Sequence, residues 1–259
     1  MCSGNNVPNF KDYADFYDLF YAGKDYRAEC DYIRTVADTY AERPLRKLLD
    51  VGCGTGAHAL LWAQDGLEIT GLDRSPSMLQ RARKKARDMQ CKVTFREGDA
   101  RNFNLERKFD AVTAMFAVMS YQTAGEDILA ALHSVRRHLE RSGLFLFDSW
   151  SGPGVLSDPP HDRVSSFRKG DMEILRTVKP EHDVSRHVVD VHYDILCIKG
   201  DKILKRIREV HPMRYFFPQE VADYASRAGF ELIHSEPFMK QEEGPGTSDW
   251  NALFVLRAV

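Results

Sequence analysis

The stretch from Leu48 to Gly56, LLDVGCGTG, decides the fold of this 259-residue chain. Its apolar start predicts a short buried strand. The three glycines that follow predict a tight turn in which the backbone can adopt positive φ and approach a ligand closely. A helix predicted directly after Gly56 would present its unpaired N–H groups to the same ligand. The stretch therefore predicts a ligand-binding turn between a strand and a helix.

Short apolar strands alternate with helices after this stretch. The segments LEITGLD, CKVTFREGD, KFDAVTAMF and LFLFDSW are predicted as the second to fifth strands. Between the second and third strands, Ser75 is predicted as the N-cap of a helix and Pro76 as its first residue. Such alternation indicates parallel β-α-β units with right-handed crossovers, and hence an α/β protein.

The two segments that flank this core follow other patterns. Residues 1–44 are predicted to form a helical lid, because aromatic side chains recur at three- and four-residue steps in YADFYDLFYAG. Residues 151–217 are predicted to begin as the irregular loop SGPGVLSDPP and to continue as antiparallel strands that cover the core. A helix from Pro218 and two last strands complete what we interpret as one domain, 1–259.

Acidic residues end three successive predicted strands, at Asp50, Asp73 and Asp99. Ligands of such sheets bind at the carboxyl ends of the strands. Asp73 lies 21 residues after Gly52, where a carboxylate can accept hydrogen bonds from both hydroxyls of a ribose. The turn also satisfies the dinucleotide fingerprint, but Asp50 at its start suits an ammonium group better than a pyrophosphate. Both interpretations of the turn stay open at this point.

The motifs in this part of the chain resemble those of a known family. LLDVGCGTG, GLDRSPSML, FREGDAR, KFDAVTAMFAVMSY and VRRHLERSGLFLFD are similar, in order and spacing, to the class I S-adenosylmethionine-dependent methyltransferases. The tail, RAGFELI followed by WNALFVLRAV, resembles the last helix and reversed strand pair of that family. The resemblance implies a doubly wound, mostly parallel seven-stranded Rossmann-like sheet. YADFYDLFYAGKDYRAE and the antiparallel cover further resemble the nucleotide-sugar N,N-dimethyltransferases.

The resemblance implies S-adenosylmethionine as the cofactor and no metal. Its methionine part is implied to lie on the glycine turn, where Asp50 orients the turn or contacts the amino group. Asp73 is implied to bind the ribose, and Met115 and Phe116 to flank the sulfonium. The implied cofactor-binding residues are Asp50, Gly52, Gly54, Gly56, Asp73, Arg74, Met78, Asp99, Ala100, Met115 and Phe116.

Candidates for the group that takes the substrate's proton follow from their expected places around one cleft. Asp148 ends the fifth strand, Tyr21 lies on the lid with Tyr17, Tyr121 follows the fourth strand, and His211 lies in the cover. An amine requires only a polar acceptor, whereas an alcohol needs a stronger base. Separately, three arginines could bind a diphosphate, because a guanidinium matches phosphate oxygens. They are Arg163, Arg208 and Arg214.

Composition limits the partners of the chain. It carries 36 basic and 38 acidic residues, a balance that does not favour binding to nucleic acid or to an anionic membrane. No apolar run is long enough for a membrane span. The five cysteines form no C-x-x-C pair, so we expect reduced thiols and a cytoplasmic location. The partner is expected to be a small molecule, and the chain could form a homodimer.

The sequence thus favours a small-molecule methyltransferase. N-methylation of a nucleotide-linked amino sugar is the leading hypothesis, ahead of O-methylation of a sugar or another metabolite. One alternative is a nicotinamide-dependent oxidoreductase that uses the same glycine turn. Another is a protein that binds S-adenosylmethionine without turnover, since a fold does not guarantee chemistry.

Overall fold

The computed structural model of the protein describes residues 13–242 and 244–259. Residues 1–12 of the predicted lid, with Cys2, lie outside the described part. The helices are α1 (Tyr17–Phe20), α2 (Tyr26–Tyr40), α3 (Ala57–Gln64), α4 (Pro76–Asp88), α5 (Gly125–Arg137), α6 (Gly152–Ser157) and α7 (Pro218–Arg227). The strands are β1 (Lys47–Val51), β2 (Glu68–Asp73), β3 (Val93–Glu97), β4 (Phe109–Ala114), β5 (Leu139–Ser151), β6 (Arg163–Lys169), β7 (Met172–Asp183), β8 (Val188–Lys199), β9 (Lys202–Phe216), β10 (Phe230–Pro237) and β11 (Asn251–Ala258).

Seven of these strands form the predicted sheet, in the order β3-β2-β1-β4-β5-β11-β10. The first five are parallel, whereas β11 runs antiparallel to both β5 and β10. The α/β fold class is therefore confirmed, including the reversed seventh strand. The parallel order brings the carboxyl ends of β1, β2, β4 and β5 to one edge of the sheet.

The other four strands extend the same sheet as an antiparallel cover, β6–β9. The cover joins the core where β9 pairs with Trp150 and Ser151, past the last β5 residue that pairs with β4. From there β8, β7 and β6 follow in antiparallel pairs. The cover thus begins at the edge where the core strands end.

Apolar side chains fill both faces of the core sheet. One layer packs around Phe109, Phe145 and Phe254, and the other around Trp62 and Leu79, all with at most 1% of their surface exposed. Each such side chain contributes about 1.5–3 kcal/mol by burial. Helices cover both layers, which is the doubly wound arrangement that the β-α-β pattern predicts.

The local signal for α4 acts as expected. The Ser75 hydroxyl accepts a hydrogen bond from the Met78 N–H at 3.4 Å, and Pro76 occupies the first turn. This cap fixes the chain direction directly after β2 and so holds Asp73 at the start of a rigid element.

The lid segment departs from the prediction of one aromatic helix. A 3-10 turn at Tyr13–Asp15 precedes the single-turn α1. Tyr13, Phe16 and Phe20 pack into the cover together with Ile174 and Ile195. Contacts with the cover therefore override the periodicity of the aromatic residues.

The prediction for the start of the cover is wrong in one respect. SGPGVLSDPP contains α6 in place of an irregular loop, and the antiparallel strands begin after it with β6. The glycines in α6 are packing positions, since a Cβ on Gly152 would lie 2.4 Å from the Phe217 ring and one on Gly154 would lie 2.2 Å from the Asp249 carbonyl oxygen. The two glycines were interpreted as a sign of a loop, whereas here they allow other parts of the chain to approach the helix backbone closely.

Candidate active site

A cavity of about 700 Å³ lies at the carboxyl ends of β1, β2, β4 and β5, beneath the lid and the cover. This volume lies within the range of small-molecule sites, about 300–1,000 Å³. Most of the residues singled out in the sequence line it. They are Gly52, Gly54, Asp73, Arg74, Met78, Asp99, Ala100, Met115, Phe116, Tyr17, Tyr21, Tyr121, Asp148, Arg163 and His211.

The glycine turn is held by β2. The N–H groups of Gly52 and Cys53 donate to the Leu72 carbonyl oxygen at 2.7 and 3.0 Å, and the Gly54 N–H donates to Asp73 Oδ2 at 2.8 Å. Gly52 has a φ of +71°, and a Cβ there would lie 2.5 Å from Val118. At Gly54 a Cβ would meet no atom closer than 4.0 Å. The turn therefore offers an open cradle at Gly54 that fits the amino-acid part of S-adenosylmethionine.

Asp73 is fixed beside that cradle. Its second oxygen, Oδ1, accepts the Ser75 N–H at 2.8 Å, and 8% of the residue is exposed. Burial raises the pKa of Asp73, against the opposing effect of the Ser75 and Gly54 N–H groups. Because each carboxylate oxygen has two acceptor sites, Asp73 can accept further hydrogen bonds from a ribose.

Asp99 is shared with an arginine that the sequence did not single out. Its carboxylate accepts hydrogen bonds from the Arg101 N–H and Nε at 2.9 Å each and from Nη2 at 2.7 Å. Arg101 also contacts Asp127 at 3.1 Å. Hydrogen bonds from Arg101 lower the pKa of Asp99. Any adenine amino group at this end of the cavity would meet an ionised carboxylate already bound to Arg101.

Two predicted cofactor residues do not line the cavity. Asp50 is buried with 2% exposed and accepts the Thr113 hydroxyl at 3.3 Å, and burial raises its pKa to about 8. Gly56 has a φ of +82°, and a Cβ there would lie 3.1 Å from Ala82 and 3.2 Å from Phe95. Both residues shape the turn from beneath, because their neighbours belong to the core.

Asp148 holds the turn after β4. Its carboxylate accepts the N–H groups of Phe116 and Ala117, the latter at 3.1 Å. Those two residues have φ values of +70° and +56°, a left-handed conformation that costs about 1–2 kcal/mol per residue. Burial raises the pKa of Asp148 to about 6. The structure thus gives Asp148 a definite task, which is to stabilise a strained turn beside the cavity.

The sequence analysis missed an ion pair between Lys24 and Glu29, which lies where the lid meets the cavity. The Lys24 ammonium lies 4.4 Å from the centroid of the Phe116 ring and forms an ion pair with Glu29. Glu29 also contacts His58 Nε2 at 2.9 Å. Although burial opposes it, the hydrogen bonds from His58 and Lys24 lower the pKa of Glu29. This pair lines the cavity and complements the two charges of a zwitterionic amino acid.

Polar aromatic side chains face each other across the cavity. The Tyr121 hydroxyl lies 2.9 Å from His211 Nδ1, and burial raises the pKa of Tyr121 well above its ordinary value. The Tyr21 hydroxyl lies 3.1 Å from that of Tyr13. Three of the four predicted proton acceptors, Tyr21, Tyr121 and His211, therefore belong to one layer under the cover.

The structure does not bring the three predicted arginines together. Arg163 lines the cavity with His161, near the start of β6. Arg208 lies 3.4 Å from Asp194 on the exposed sheet face, and Arg214 pairs with Glu220. Arg163 and His161 thus lie together in the cavity wall at the start of the cover. No local signal marked His161, which follows two prolines.

Ion pairs fasten the lid to the glycine turn. Asp18 on α1 contacts Lys85 Nζ on α4 and the Thr55 hydroxyl, both at 2.7 Å. Asp15 contacts Arg81 at 2.5 Å. Arg81 and Lys85 of α4 therefore face the lid, which docks on them through these two ion pairs.

Within the described residues no group of three or more histidine, cysteine, aspartate or glutamate side chains could hold a metal ion. None of the described helices has the length and apolar character that crossing a lipid bilayer requires. The four described cysteines, Cys30, Cys53, Cys91 and Cys197, are thiols.

Comparisons of the sequence with known proteins identify a family and close relatives. The family described as "Methyltransferase domain" matches residues 48–143. The dTDP-3-amino-3,4,6-trideoxy-alpha-D-glucopyranose N,N-dimethyltransferase of Streptomyces venezuelae is 37% identical over 231 residues, which cover 87% of this chain and 92% of that protein. The dTDP-3-amino-3,6-dideoxy-alpha-D-glucopyranose N,N-dimethyltransferase of Streptomyces fradiae is 27% identical, over 85% of this chain and 84% of that protein.

Solved structures show the same likeness over nearly the full length. Streptomyces venezuelae DesVI aligns with a TM-score of 0.77 and 28% identity, over 96% of this chain and 99% of that one. The sugar N-methyltransferase KedS8 from Streptoalloteichus sp ATCC 53650 aligns with a TM-score of 0.78 and 25% identity, over 93% and 92%. The likeness therefore includes the lid and the cover as well as the core.

Proposed function

The chain belongs to the S-adenosylmethionine-dependent methyltransferases, and from this premise we propose that it methylates the amino nitrogen of a nucleotide-linked amino sugar. The cofactor, when bound, supplies a methyl group that is activated by its sulfonium. Because the chain belongs to this family, we set aside two alternative functions. These are a nicotinamide-dependent oxidoreductase and a protein that binds S-adenosylmethionine without turnover.

The observation that carries the proposal is the division of one cavity between the core and the cover. Gly54 and Asp73 line the core end, whereas Tyr193, His211 and Arg163 line the end under β6–β9. The relatives named as acting on dTDP-linked amino sugars share the length of chain that includes this cover. A substrate that enters under the cover would reach the core end at the turn that holds Met115 and Phe116.

Residues of this chain have three tasks in the proposed reaction. Lys24 and Glu29 bind the two charges of the amino-acid part of the cofactor, and Asp73 binds its ribose. Phe116, in edge contact with Tyr21 at a centroid distance of 4.8 Å, excludes water from the reacting atoms. Alignment of donor and acceptor in such a site can supply about 7–11 kcal/mol of the barrier reduction.

The nucleotide part of the substrate is assigned to the mouth of the cavity. Arg163 and His161 lie there, and a guanidinium binds phosphate oxygens with charge-assisted hydrogen bonds. Arg163 is the member of the predicted arginine group that can act in this way, since Arg208 and Arg214 are engaged elsewhere.

A direct test incubates the purified protein with S-adenosylmethionine and dTDP-linked 3-amino and 4-amino sugars and follows the products by mass spectrometry. We expect one or two methyl groups to be added to at least one of these sugars. Matched substrates with a hydroxyl in place of the amine, and amino sugars without the nucleotide, are the controls. Faster methylation of the hydroxyl substrates would favour an O-methyltransferase and overturn the proposal.

A cytoplasmic location and a homodimer are also part of the proposal. Light scattering coupled to size exclusion measures the mass of the protein in solution, and twice the mass of one chain is the result expected for the dimer.

A further inference from the structure

Three polar side chains form a continuous line that leads away from the cavity. The Tyr121 hydroxyl lies 2.9 Å from His211 Nδ1, and His211 Nε2 lies 3.0 Å from Glu209 Oε2. Tyr121 belongs to the 3-10 turn Met119–Tyr121 that follows β4. His211 and Glu209 are two residues apart on β9, so they share one face of the cover.

This line is shielded from water along most of its length. The side chains of His211 and Glu209 are 3% and 15% exposed. The His211 ring packs against Tyr193 of β8 and Tyr13 of the lid, at centroid distances of 4.8 and 5.5 Å. In these described contacts, His211 meets the phenols of Tyr121, Tyr193 and Tyr13 and the carboxylate of Glu209. The carboxylate supplies the negative charge.

The position of Glu209 determines which nitrogen of His211 carries the proton. A carboxylate is only an acceptor, so Nε2 must donate to it. A neutral imidazole has a single N–H, and Nδ1 therefore accepts the hydroxyl of Tyr121. The Tyr121 oxygen, whose residue lines the cavity, then offers a lone pair as an acceptor on the substrate side.

We propose that Glu209 is a positioning residue that, through His211, makes Tyr121 the proton acceptor for the substrate's ammonium group. The proposal rests on the function proposed above. An ammonium N–H proton passes to Tyr121 Oη while the hydroxyl proton of Tyr121 passes to His211 Nδ1. The nitrogen keeps the electron pair of the broken N–H bond as its lone pair, and the positive charge moves to the imidazolium beside the Glu209 carboxylate.

Two features of the structure favour this concerted transfer. Burial keeps the Tyr121 phenol neutral by raising its pKa, so its oxygen can accept a proton only if its own proton leaves. The partly exposed Glu209 provides the way out, because a proton released from Nε2 reaches solvent at its carboxylate. A second methylation of the same nitrogen needs the same transfer again, and for it the imidazole must first lose the Nδ1 proton and regain hydrogen on Nε2.

The first test requires no substrate. Nitrogen-15 NMR of the imidazoles in the labelled protein, at a pH where His211 is neutral, reports which nitrogen carries hydrogen. The His211 signal is assigned by its loss in His211→Gln. We expect hydrogen on Nε2 and a lone pair on Nδ1. Hydrogen on Nδ1 would overturn the proposal whatever the substrate proves to be.

The second test uses an amino sugar that the wild-type protein methylates, and it measures the turnover of this substrate by the variant Glu209→Gln. The matched control is Asp194→Asn, on the exposed face of β8. We expect kcat to fall about ten- to hundredfold in Glu209→Gln, with KM and the affinity for S-adenosylhomocysteine unchanged. Added to Tyr121→Phe, the Glu209→Gln change should have little further effect, since both act on one proton transfer. Wild-type kcat in Glu209→Gln, or an equal loss in Asp194→Asn, would overturn the role of Glu209. If the wild type methylates no amino sugar, that result counts against the proposed function. The tautomer of His211, which is measured without substrate, would then still test the positioning role of Glu209.

Discussion

The acidic residues at the ends of β1 and β2 show how burial divides similar side chains between different tasks. Asp73 lies in the cavity wall, where two backbone N–H groups fix both of its oxygens. Asp50 lies one layer below, where its Oδ1 accepts a hydrogen bond from the Thr113 hydroxyl. One carboxylate therefore faces the cavity, whereas the other belongs to the core beneath the glycine turn.

Removal of the charge of Asp73 should weaken cofactor binding. We expect Asp73→Asn to raise the Kd for S-adenosylhomocysteine about ten- to hundredfold, since hydrogen bonds to charged groups contribute about 1.5–3 kcal/mol. Isothermal titration calorimetry measures this change. Glu97→Gln, at the exposed end of β3, is the matched control and should bind as the wild type does. Unchanged affinity in Asp73→Asn would show that the ribose is bound elsewhere.

Asp50 should make the stability of the protein depend on pH. Its pKa is raised to about 8 by burial, whereas it is near 4 in the unfolded chain. Between these values folding requires uptake of a proton, so the free energy of unfolding loses about 1.4 kcal/mol per pH unit as pH rises, and the loss is complete above about pH 8.

Asp50→Asn keeps an acceptor for Thr113 and cannot ionise. We expect its stability relative to the wild type to increase from about pH 5 to about pH 8 by up to about 4 kcal/mol, as measured by urea unfolding. Glu231→Gln, an exposed change on β10, should leave the difference independent of pH. If the stability of Asp50→Asn and that of the wild type depend on pH in the same way, burial does not raise the pKa of Asp50 and the prediction is wrong.

Among the elements, the lid and α4 form the connection that closes the cavity on the cofactor side. Asp18 contacts both Lys85 on α4 and Thr55 in the glycine turn. The lid is therefore fastened to the glycine turn, to which the proposed function assigns the cofactor. Aromatic side chains of the lid pack against the cover, whereas Asp15 and Asp18 form ion pairs with α4.

Loss of the Asp18 contacts should loosen the lid. We expect Asp18→Ala to speed the release of S-adenosylhomocysteine about two- to tenfold, because partly exposed ion pairs contribute about 0.2–1 kcal/mol and a hydrogen bond adds about as much. Stopped-flow displacement measures the release rate. Asp38→Ala removes an ion pair with Arg34 on the surface of α2 and serves as the control. Equal rates in both variants would mean that the lid opens without breaking these contacts.

In the proposed function, the core binds the cofactor and the cover binds the substrate, and both are parts of one continuous sheet. β9 joins β5 at the edge where the cavity opens, so both parts are anchored to the same strand. A change in the cover should therefore alter substrate binding without altering cofactor binding.

Arg163 offers a test of that division. We expect Arg163→Gln to raise KM for a nucleotide-linked amino sugar about tenfold, because it removes a charge-assisted contact with phosphate, while the Kd for S-adenosylhomocysteine stays unchanged. Steady-state kinetics and calorimetry measure the two quantities. The control is Arg208→Gln, which removes an ion pair with Asp194 outside the cavity. A similar rise in KM for both variants would place the phosphates outside the cavity mouth.

Local patterns were sufficient for the core of this fold and for most of the residues at the core end of the cavity. The strands before Gly52 and Asp73, the cap at Ser75 and the reversed pair β10–β11 were all predicted, because each depends on residues adjacent in the chain. Glycines at positive φ and acids at strand ends carry their meaning locally. The parallel order of strands then brings these residues together without any further information.

The rest of the site depended on contacts between distant segments. Tyr121 and His211 are 90 residues apart in the chain, and Lys24 and Glu29 line the cavity because α2 packs against α3. No periodicity indicates that Glu209 lies beside His211 in a shielded layer, since the strand gives both residues the same face but only packing by the lid and β8 excludes water from it. The sequence could therefore predict most of the residues that line the core end of the cavity, whereas only the tertiary structure revealed which groups meet under the cover, because burial and hydrogen-bond partners are set by segments that the chain itself keeps far apart.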